Sequence, residues 1–306
     1  MVTNSPRSTR QRVVVGIDGS PAAQTALAWA ADAAARRDAP LHVVQAYVWP
    51  IYPPPLVPGS EFVAAGEAGE RLAQETLEHA LDAVAAQTAG LEVSSEIARG
   101  PSAEVLLKAA AQDTALLVVG SRGRGGFRSL LLGSTSMEVA AKSPCPVAVI
   151  RYGELPSQRH GRVVVGIDGS ELSKDAVAFA MLEASRRGAA VEAITAWNRV
   201  EALPPGLMAA GVVEAMPTTE EIALALSETL AGWRERCPDV KVVQRVVVGH
   251  PGHVLTEASR SADLVVVGTR GHGAAASMLI GSTSRNVLHH AVCPVVVVPG
   301  HVELFD

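Results

Sequence analysis

The chain has 306 residues and a formal net charge of −5, with 48% hydrophobic, 19% charged and 4% aromatic residues. At about 150 residues per domain this length holds two domains, each large enough to bury a core without metal or disulfide staples. The mild acidity argues against a nucleic-acid partner, which needs clustered Lys and Arg; three Cys exclude a disulfide scaffold; and no run of about 18 apolar residues offers a membrane-spanning helix.

The polar, basic start MVTNSPRSTRQR reads as a lead-in to a first strand rather than a signal peptide, so the expected location is the cytoplasm. Val13 to Ile17 is a continuous apolar run, the pattern of a strand buried on both faces. Pro21 to Arg37 is Ala-rich and helical, with Ser20 as N-cap and Pro21 at the first helical position. Leu41 to Tyr47 is a second strand, and the Pro-rich stretch Trp49 to Ser60 is a loop. Glu61 to Thr88 contains a long helix. Leu91 to Ile97 is a third strand, Ser102 to Gln112 a helix and Leu116 to Gly120 a fourth strand. Ser134 to Ala141 is a short helix, and Pro146 to Ile150 a fifth strand.

The chain then repeats itself. Arg12–Ser20, RVVVGIDGS, recurs unchanged as Arg162–Ser170. Val118–Gly123 recurs as Val266–Gly271, Leu131–Ser136 as Leu279–Ser284, and Cys145-Pro-Val as Cys293-Pro-Val. A period of about 150 residues is the size of a whole domain. The expected domains are 1–152 and 161–306, joined by a polar linker. The second copy follows the same order from Val163 to Val298, with its own loop from Asn198 to Pro217. Alternating strands and helices with buried-type strands predict the α/β class, a doubly wound parallel sheet in each copy. Ligands of such sheets bind beyond the carboxyl ends of the strands, at the topological switch point.

The chemistry concentrates after the fourth strand. Gly120-Ser-Arg-Gly123 is followed nine residues later by Gly133-Ser134-Thr135, and its twin is Gly268-Thr-Arg-Gly271, then Gly281-Ser282-Thr283. Glycines after a strand let a ligand approach main-chain N–H groups. Gly133 then opens a helix whose free N–H groups and dipole attract anions, and Ser134, Thr135 and Ser136 add hydroxyl donors. Glu138, three residues after Thr135, predicts a capping box at this helix start. These pieces describe a phosphate cradle, and equally an ordinary Gly-rich turn preserved by duplication. Asp18 and Asp168 end the first strand of each copy, where Asp-Gly-Ser serves as a ligand group or as a plain strand-to-helix turn. The loops differ: Arg124 to Arg128 in the first copy carries two arginines, and His272 to Ala276 carries none.

This set of Gly-x2-Gly-x9-Gly-Ser, a first strand ending in Asp and a final Cys-Pro-Val strand resembles the universal stress protein family, in its ATP-binding, tandem two-domain form. The resemblance implies strand order 3-2-1-4-5 in each domain, a pseudo-two-fold pair forming an internal pseudo-dimer, and room for a homodimer of chains. It implies one ATP per domain, with Mg²⁺. Asp18 and Asp168 would contact the nucleotide near its ribose or metal end, and Ile17 and Ile167 would line the adenine. Ala46 and Ala196 would meet adenine mainly through backbone. Gly120, Arg122, Gly123, Gly133, Ser134 and Thr135, with Gly268, Arg270, Gly271, Gly281, Ser282 and Thr283, would hold ribose and phosphates.

Other signals are set aside. There is no Walker-type phosphate loop, and Gly271–Ala276 fits a dinucleotide fingerprint only formally, because it follows a fourth strand. His250, His253, His289 and His290 lack metal-site spacing and are read as surface or cap residues. Cys145 and Cys293 read as small buried hydrophobes, and Cys237 as a thiol at a helix end. No catalytic base recurs in both copies, as a phosphoryl-transfer enzyme requires. Three functions remain: a nucleotide-responsive regulatory or stress-response protein with little or no hydrolysis, an enzyme that spends ATP to activate a small substrate, and a tandem module with vestigial sites.

Overall fold

The apolar runs become parallel strands in the computed structural model, which describes residues 11–49, 59–111, 113–124, 132–152, 159–197, 218–271 and 280–300, with backbone alone for 59–65. The chain divides into two units at Gly153 and Glu154. The first runs β1 (Arg12–Ile17), α1 (Pro21–Arg37), β2 (Leu41–Tyr47), α2 (Gly59–Gln87), β3 (Val93–Arg99), α3 (Ser102–Ala110), β4 (Thr114–Gly120), α4 (Ser134–Lys142) and β5 (Val147–Ile150). The second runs β6 (Arg162–Gly166), α5 (Glu171–Arg187), β7 (Ala190–Trp197), α6 (Thr219–Arg236), β8 (Val242–Val248), α7 (Pro251–Ala258), β9 (Leu264–Gly268), α8 (Ser282–His290) and β10 (Val295–Val298). Most of the Pro-rich stretch, Arg128 and the loops 198–217 and 272–279 lie outside the described residues.

Within the first unit the strands are parallel and ordered β3-β2-β1-β4-β5; the second repeats this as β8-β7-β6-β9-β10. The 3-2-1-4-5 order is therefore present twice. α1 packs beside α2, and α3 beside α4, as right-handed crossovers on the two faces of a sheet require. Val13, Val14 and Val15 are fully buried, which explains an apolar run without alternation. β3 is an edge strand, and its pattern turns mostly exposed.

α1 starts as the sequence predicts. The Ser20 hydroxyl accepts the Ala23 N–H at 3.2 Å, and Pro21 fills the first turn. Seven buried alanines on its sheet face bring α1 close to the strands. At the carboxyl end of β4 this leaves no room for a side chain: a Cβ on Gly120 would lie 2.8 Å from the Ala22 carbonyl carbon and 3.0 Å from the Ala23 nitrogen. Gly268 meets the Leu172 carbonyl oxygen at 3.2 Å in the same way. The turn between β1 and α1 needs its glycine for another reason, since Gly19 and Gly169 have φ of +76° and +81°.

One polar station inside the fold has exchanged its chemistry between units. In the second, the buried Glu192 carboxylate accepts from Arg162 at 2.9 Å and from Arg245 on the neighbouring strand. The corresponding residues of the first are His42, Arg12 and Glu96. His42 Nδ1 shares a hydrogen bond with Ser94 Oγ at 2.9 Å, and Nε2 lies 3.5 Å from the Glu96 carboxylate. Burial, then the Arg12 charge, lowers the His42 pKa below 6.5 despite Glu96. The unfolded chain thus binds a proton at a pH where the folded chain does not. This contribution to stability is present above 6.5 and is lost as pH falls through the lowered folded value. Urea midpoints should therefore drop on acidification, and His42→Gln should flatten that drop; parallel pH profiles for the two proteins would show that His42 is not the group.

Candidate functional site

At the carboxyl ends of β1 and β4, consecutive chain segments leave in opposite directions and open a crevice. In the first unit it is a cavity of about 490 Å³ lined by Ile17, Asp18, Gly120, Arg122, Gly123, Arg124, Gly133, Ser134 and Thr135, among others. The second unit has a cavity of about 420 Å³ lined by Ile167, Asp168, Ala196, Gly268, Arg270, Gly271, Gly281, Ser282 and Thr283. Residues separated by more than 100 positions in sequence thus meet at one place in each unit. The exception is Ala46. It is half-buried at the end of β2 and does not line the first cavity. The Gln45 side chain donates its Nε2 to the Ala46 carbonyl at 3.0 Å, which engages the group expected to face adenine. Thr195 replaces Gln45 in the second unit, where Ala196 does line the cavity.

Asp18 fastens the loop that follows β4. Its Oδ1 accepts the Ser20 N–H at 2.9 Å, and its Oδ2 accepts the Arg124 N–H at 2.8 Å. A Cβ at Gly123 would overlap this carboxylate, as one at Gly271 would overlap Asp168. The second glycine of the motif therefore leaves the space that the aspartate side chain occupies. Asp168 Oδ1 accepts both the N–H and the hydroxyl of Ser170, at 3.0 and 2.6 Å.

α4 and α8 open on the cavity. Their N-caps are Gly133 and Gly281, and neither helix start has a side-chain cap. The expected capping box is absent: Glu138 lies beyond the first turn and accepts from Lys142 Nζ at 2.7 Å. The first N–H groups of a helix have no internal partner, so Ser134, Thr135 and Ser136 present theirs at the cavity, with the positive end of the dipole behind them. The three hydroxyl residues divide their roles. Ser134 is exposed and Thr135 half-exposed, whereas Ser136 is buried and donates its hydroxyl to the Gly120 carbonyl at 2.7 Å. Ser284 does the same to Gly268 at 2.6 Å. The third serine is thus a tie between helix and strand rather than a ligand donor.

Two lining contributions escaped the sequence reading. Ser102 and Leu106 of α3 form one wall, and Pro251 and Leu255 of α7 replace them in the second unit. The sequence signal was Gly16 and its repeat Gly166: a Cβ on either would lie 2.8 Å from the leucine. Arg124 is exposed and lines the first cavity; its partner arginine at 128 lies outside the described residues. Among the described residues, the titratable side chains lining the two cavities are Asp18, Arg122 and Arg124, and Asp168 and Arg270.

Fold and cavities define a tandem doubly wound α/β protein with a cavity at each switch point. The model of the universal stress protein family matches residues 9–151 and again 160–299, and the chain belongs to that family. A universal stress protein of Mycobacterium tuberculosis is 41% identical over 293 residues, covering 93% of this chain and 96% of that protein. One from Mycolicibacterium smegmatis is 37% identical over 302 residues, covering 95% and 98%. A universal stress protein structure from Archaeoglobus fulgidus superimposes with a TM-score of 0.66 at 18% identity, over 95% of this chain and 97% of that one, and shows the shared fold. No helix among the described residues is long and apolar enough to cross a membrane.

Proposed function

We propose that each unit binds an adenine nucleotide, ATP in the first instance, and that occupancy regulates the protein rather than feeding a turnover cycle. The observation that carries this reading is the pair of switch-point cavities, each with an uncapped helix N-terminus facing a strand-end aspartate and an arginine. The N–H groups of α4 and α8 suit phosphate oxygens, and Arg122 and Arg270 add charge beside them. Cavities of about 490 and 420 Å³ suit a small molecule of this kind. Ile17 and Ile167 supply an apolar wall for the base. Among the described residues no cluster of three metal-ligating side chains occurs, so Mg²⁺ would enter with the phosphates, which it neutralises, and Asp18 or Asp168 would be the carboxylate nearest to it. The Asp18 oxygens already accept two backbone hydrogen bonds, which suits a fastening more than a general base.

Occupancy acts on the loop after β4. Asp18 holds it from one side, and bound phosphates at α4 would hold its far end at Gly133. A nucleotide-dependent change at Arg122–Arg124 and at Gly133 is then the signal that a partner reads. Calorimetry with ATP is expected to resolve two sites of unequal affinity, the first tighter because Arg124 lines it. Nucleotide released from protein purified without added ligand should be adenine nucleotide by mass spectrometry. Equal constants would remove the role of Arg124, and steady hydrolysis at about 1 s⁻¹ or faster, an ordinary enzyme rate, would overturn the regulatory reading.

A further inference from the structure

The first unit contains a second cavity, of about 420 Å³, which the nucleotide reading does not use. It runs between α1 and α2. α1 rests on β1 and β4, and α2 on β2 and β3, so different strands anchor the two helices. Their facing stripes are small: Ala23 and Ala28 on one, Ala80 and Ala83 on the other. These side chains do not fill the gap, and the buried Leu27 and Val84 give it an apolar lining. This groove joins the nucleotide cavity, because Ile17, Ala23 and Arg124 line both.

The groove has a polar end. A point one Cβ bond out from Gly19 lies 3.5 Å from Arg124 Nη1 and 3.5 Å from Thr76 Oγ1. The Thr76 hydroxyl donates to the Leu72 carbonyl at 2.7 Å, so Arg124 supplies the cationic donor there, with the Gln24 amide also lining the groove. Glu75 and His79, both exposed, line the groove as well. Arg124 is the charged side chain common to groove and nucleotide cavity, and it fixes where a head group sits.

We propose that the α1–α2 groove is a second small-molecule site, for an amphipathic organic anion whose apolar body lies against Leu27, Ala28, Ala83 and Val84 and whose head meets Arg124. A volume of about 420 Å³ falls within the range of small-molecule sites. One guanidinium then serves two anions, so this ligand and the nucleotide antagonise each other. The antagonism rests on the nucleotide reading; the groove itself does not.

The probe is octanoate, titrated into the full chain without nucleotide and followed by amide NMR shifts and calorimetry. Saturable shifts confined to α1, α2 and Arg124 are expected, and octylammonium, with the same tail, should bind more weakly. Ala83→Trp and Ala28→Trp, at positions that are not fully buried, fill the groove and should abolish octanoate binding while ATP binding persists. Arg124→Gln should weaken octanoate by about tenfold, the loss of one charge-assisted hydrogen bond. Shifts scattered over the surface, or undiminished binding in both tryptophan variants, overturn the site. Tighter octylammonium overturns the anionic head group and assigns it to Glu75. If octanoate binds as expected but ATP does not weaken it, the groove stands and the antagonism falls.

Discussion

Arg187→Ala is expected to destabilise the chain by about 3–5 kcal/mol, the loss that follows when one partner of a buried ion pair is removed. Glu183 on α5 is fully buried, and Arg187 one turn later donates its Nε to it at 2.5 Å, itself only 13% exposed. Truncating the arginine leaves a carboxylate in the core without this guanidinium, and the desolvation cost of the carboxylate stays. The first unit supplies the internal control. Its corresponding residues are Ala33 and Arg37, and Arg37 donates to the Ala33 carbonyl at 3.1 Å. Arg37→Ala takes no guanidinium from a buried carboxylate at position 33 and should therefore cost less than Arg187→Ala. Replacing both members together, as Glu183→Met with Arg187→Leu, should recover most of the loss, since neither member of the pair is then charged. Denaturation curves of the four proteins check this. Equal losses for Arg187→Ala and Arg37→Ala would show that the carboxylate does not depend on its arginine.

The strands and the glycine-capped starts of α4 and α8 were legible because their signals are local. A run such as Val13–Ile17, Ser20 before Pro21, and Gly133 before Ser134 each act through neighbours within one turn. Duplication repeated most of these signals, although Pro21 has Glu171 in its place. What the sequence did not disclose depends on segments far apart in the chain. Gly120 is excluded from carrying a side chain by the backbone of α1, about a hundred residues away, so packing alone suffices to explain it. Ser136 resembles Ser134 and Thr135 in sequence, yet only it turns inward to the Gly120 carbonyl. Gln45 takes the Ala46 carbonyl, a contact between neighbours that depends on a side-chain rotamer and not on a pattern. The α1–α2 groove is invisible because alanine in a helix signals propensity and says nothing of the distance to a facing helix. The exchange of His42 with Glu96 for Glu192 with Arg245 likewise needs the strand register to be seen as one station.

Ser134→Pro separates the cradle from the packing more cleanly than any glycine replacement. Ser134 is the first helical residue of α4, the position where proline fits a helix because its missing N–H has no internal partner. Proline also restricts the residue before it to extended backbone, and Gly133 already has φ of −78° and ψ of 156°. The helix should therefore survive with little change in stability. A phosphate bound there would, however, lose one N–H donor at the positive end of the dipole. A charge-assisted hydrogen bond of this kind corresponds to about ten- to a hundredfold in affinity, and that loss is expected for ATP at the first site alone. Ser282→Pro should do the same to the second site, since Gly281 has φ of −72° and ψ of 158°. Ser134→Ala removes the hydroxyl but keeps the N–H and should cost less than the proline. Thr135→Pro is the contrasting case: it is preceded by a residue in helical conformation, which proline disfavours, and it should lower the melting temperature. Calorimetry on the paired variants assigns each isotherm to its unit. Two proline variants that fold normally and bind ATP as the parent does would place the phosphates elsewhere than at the starts of α4 and α8.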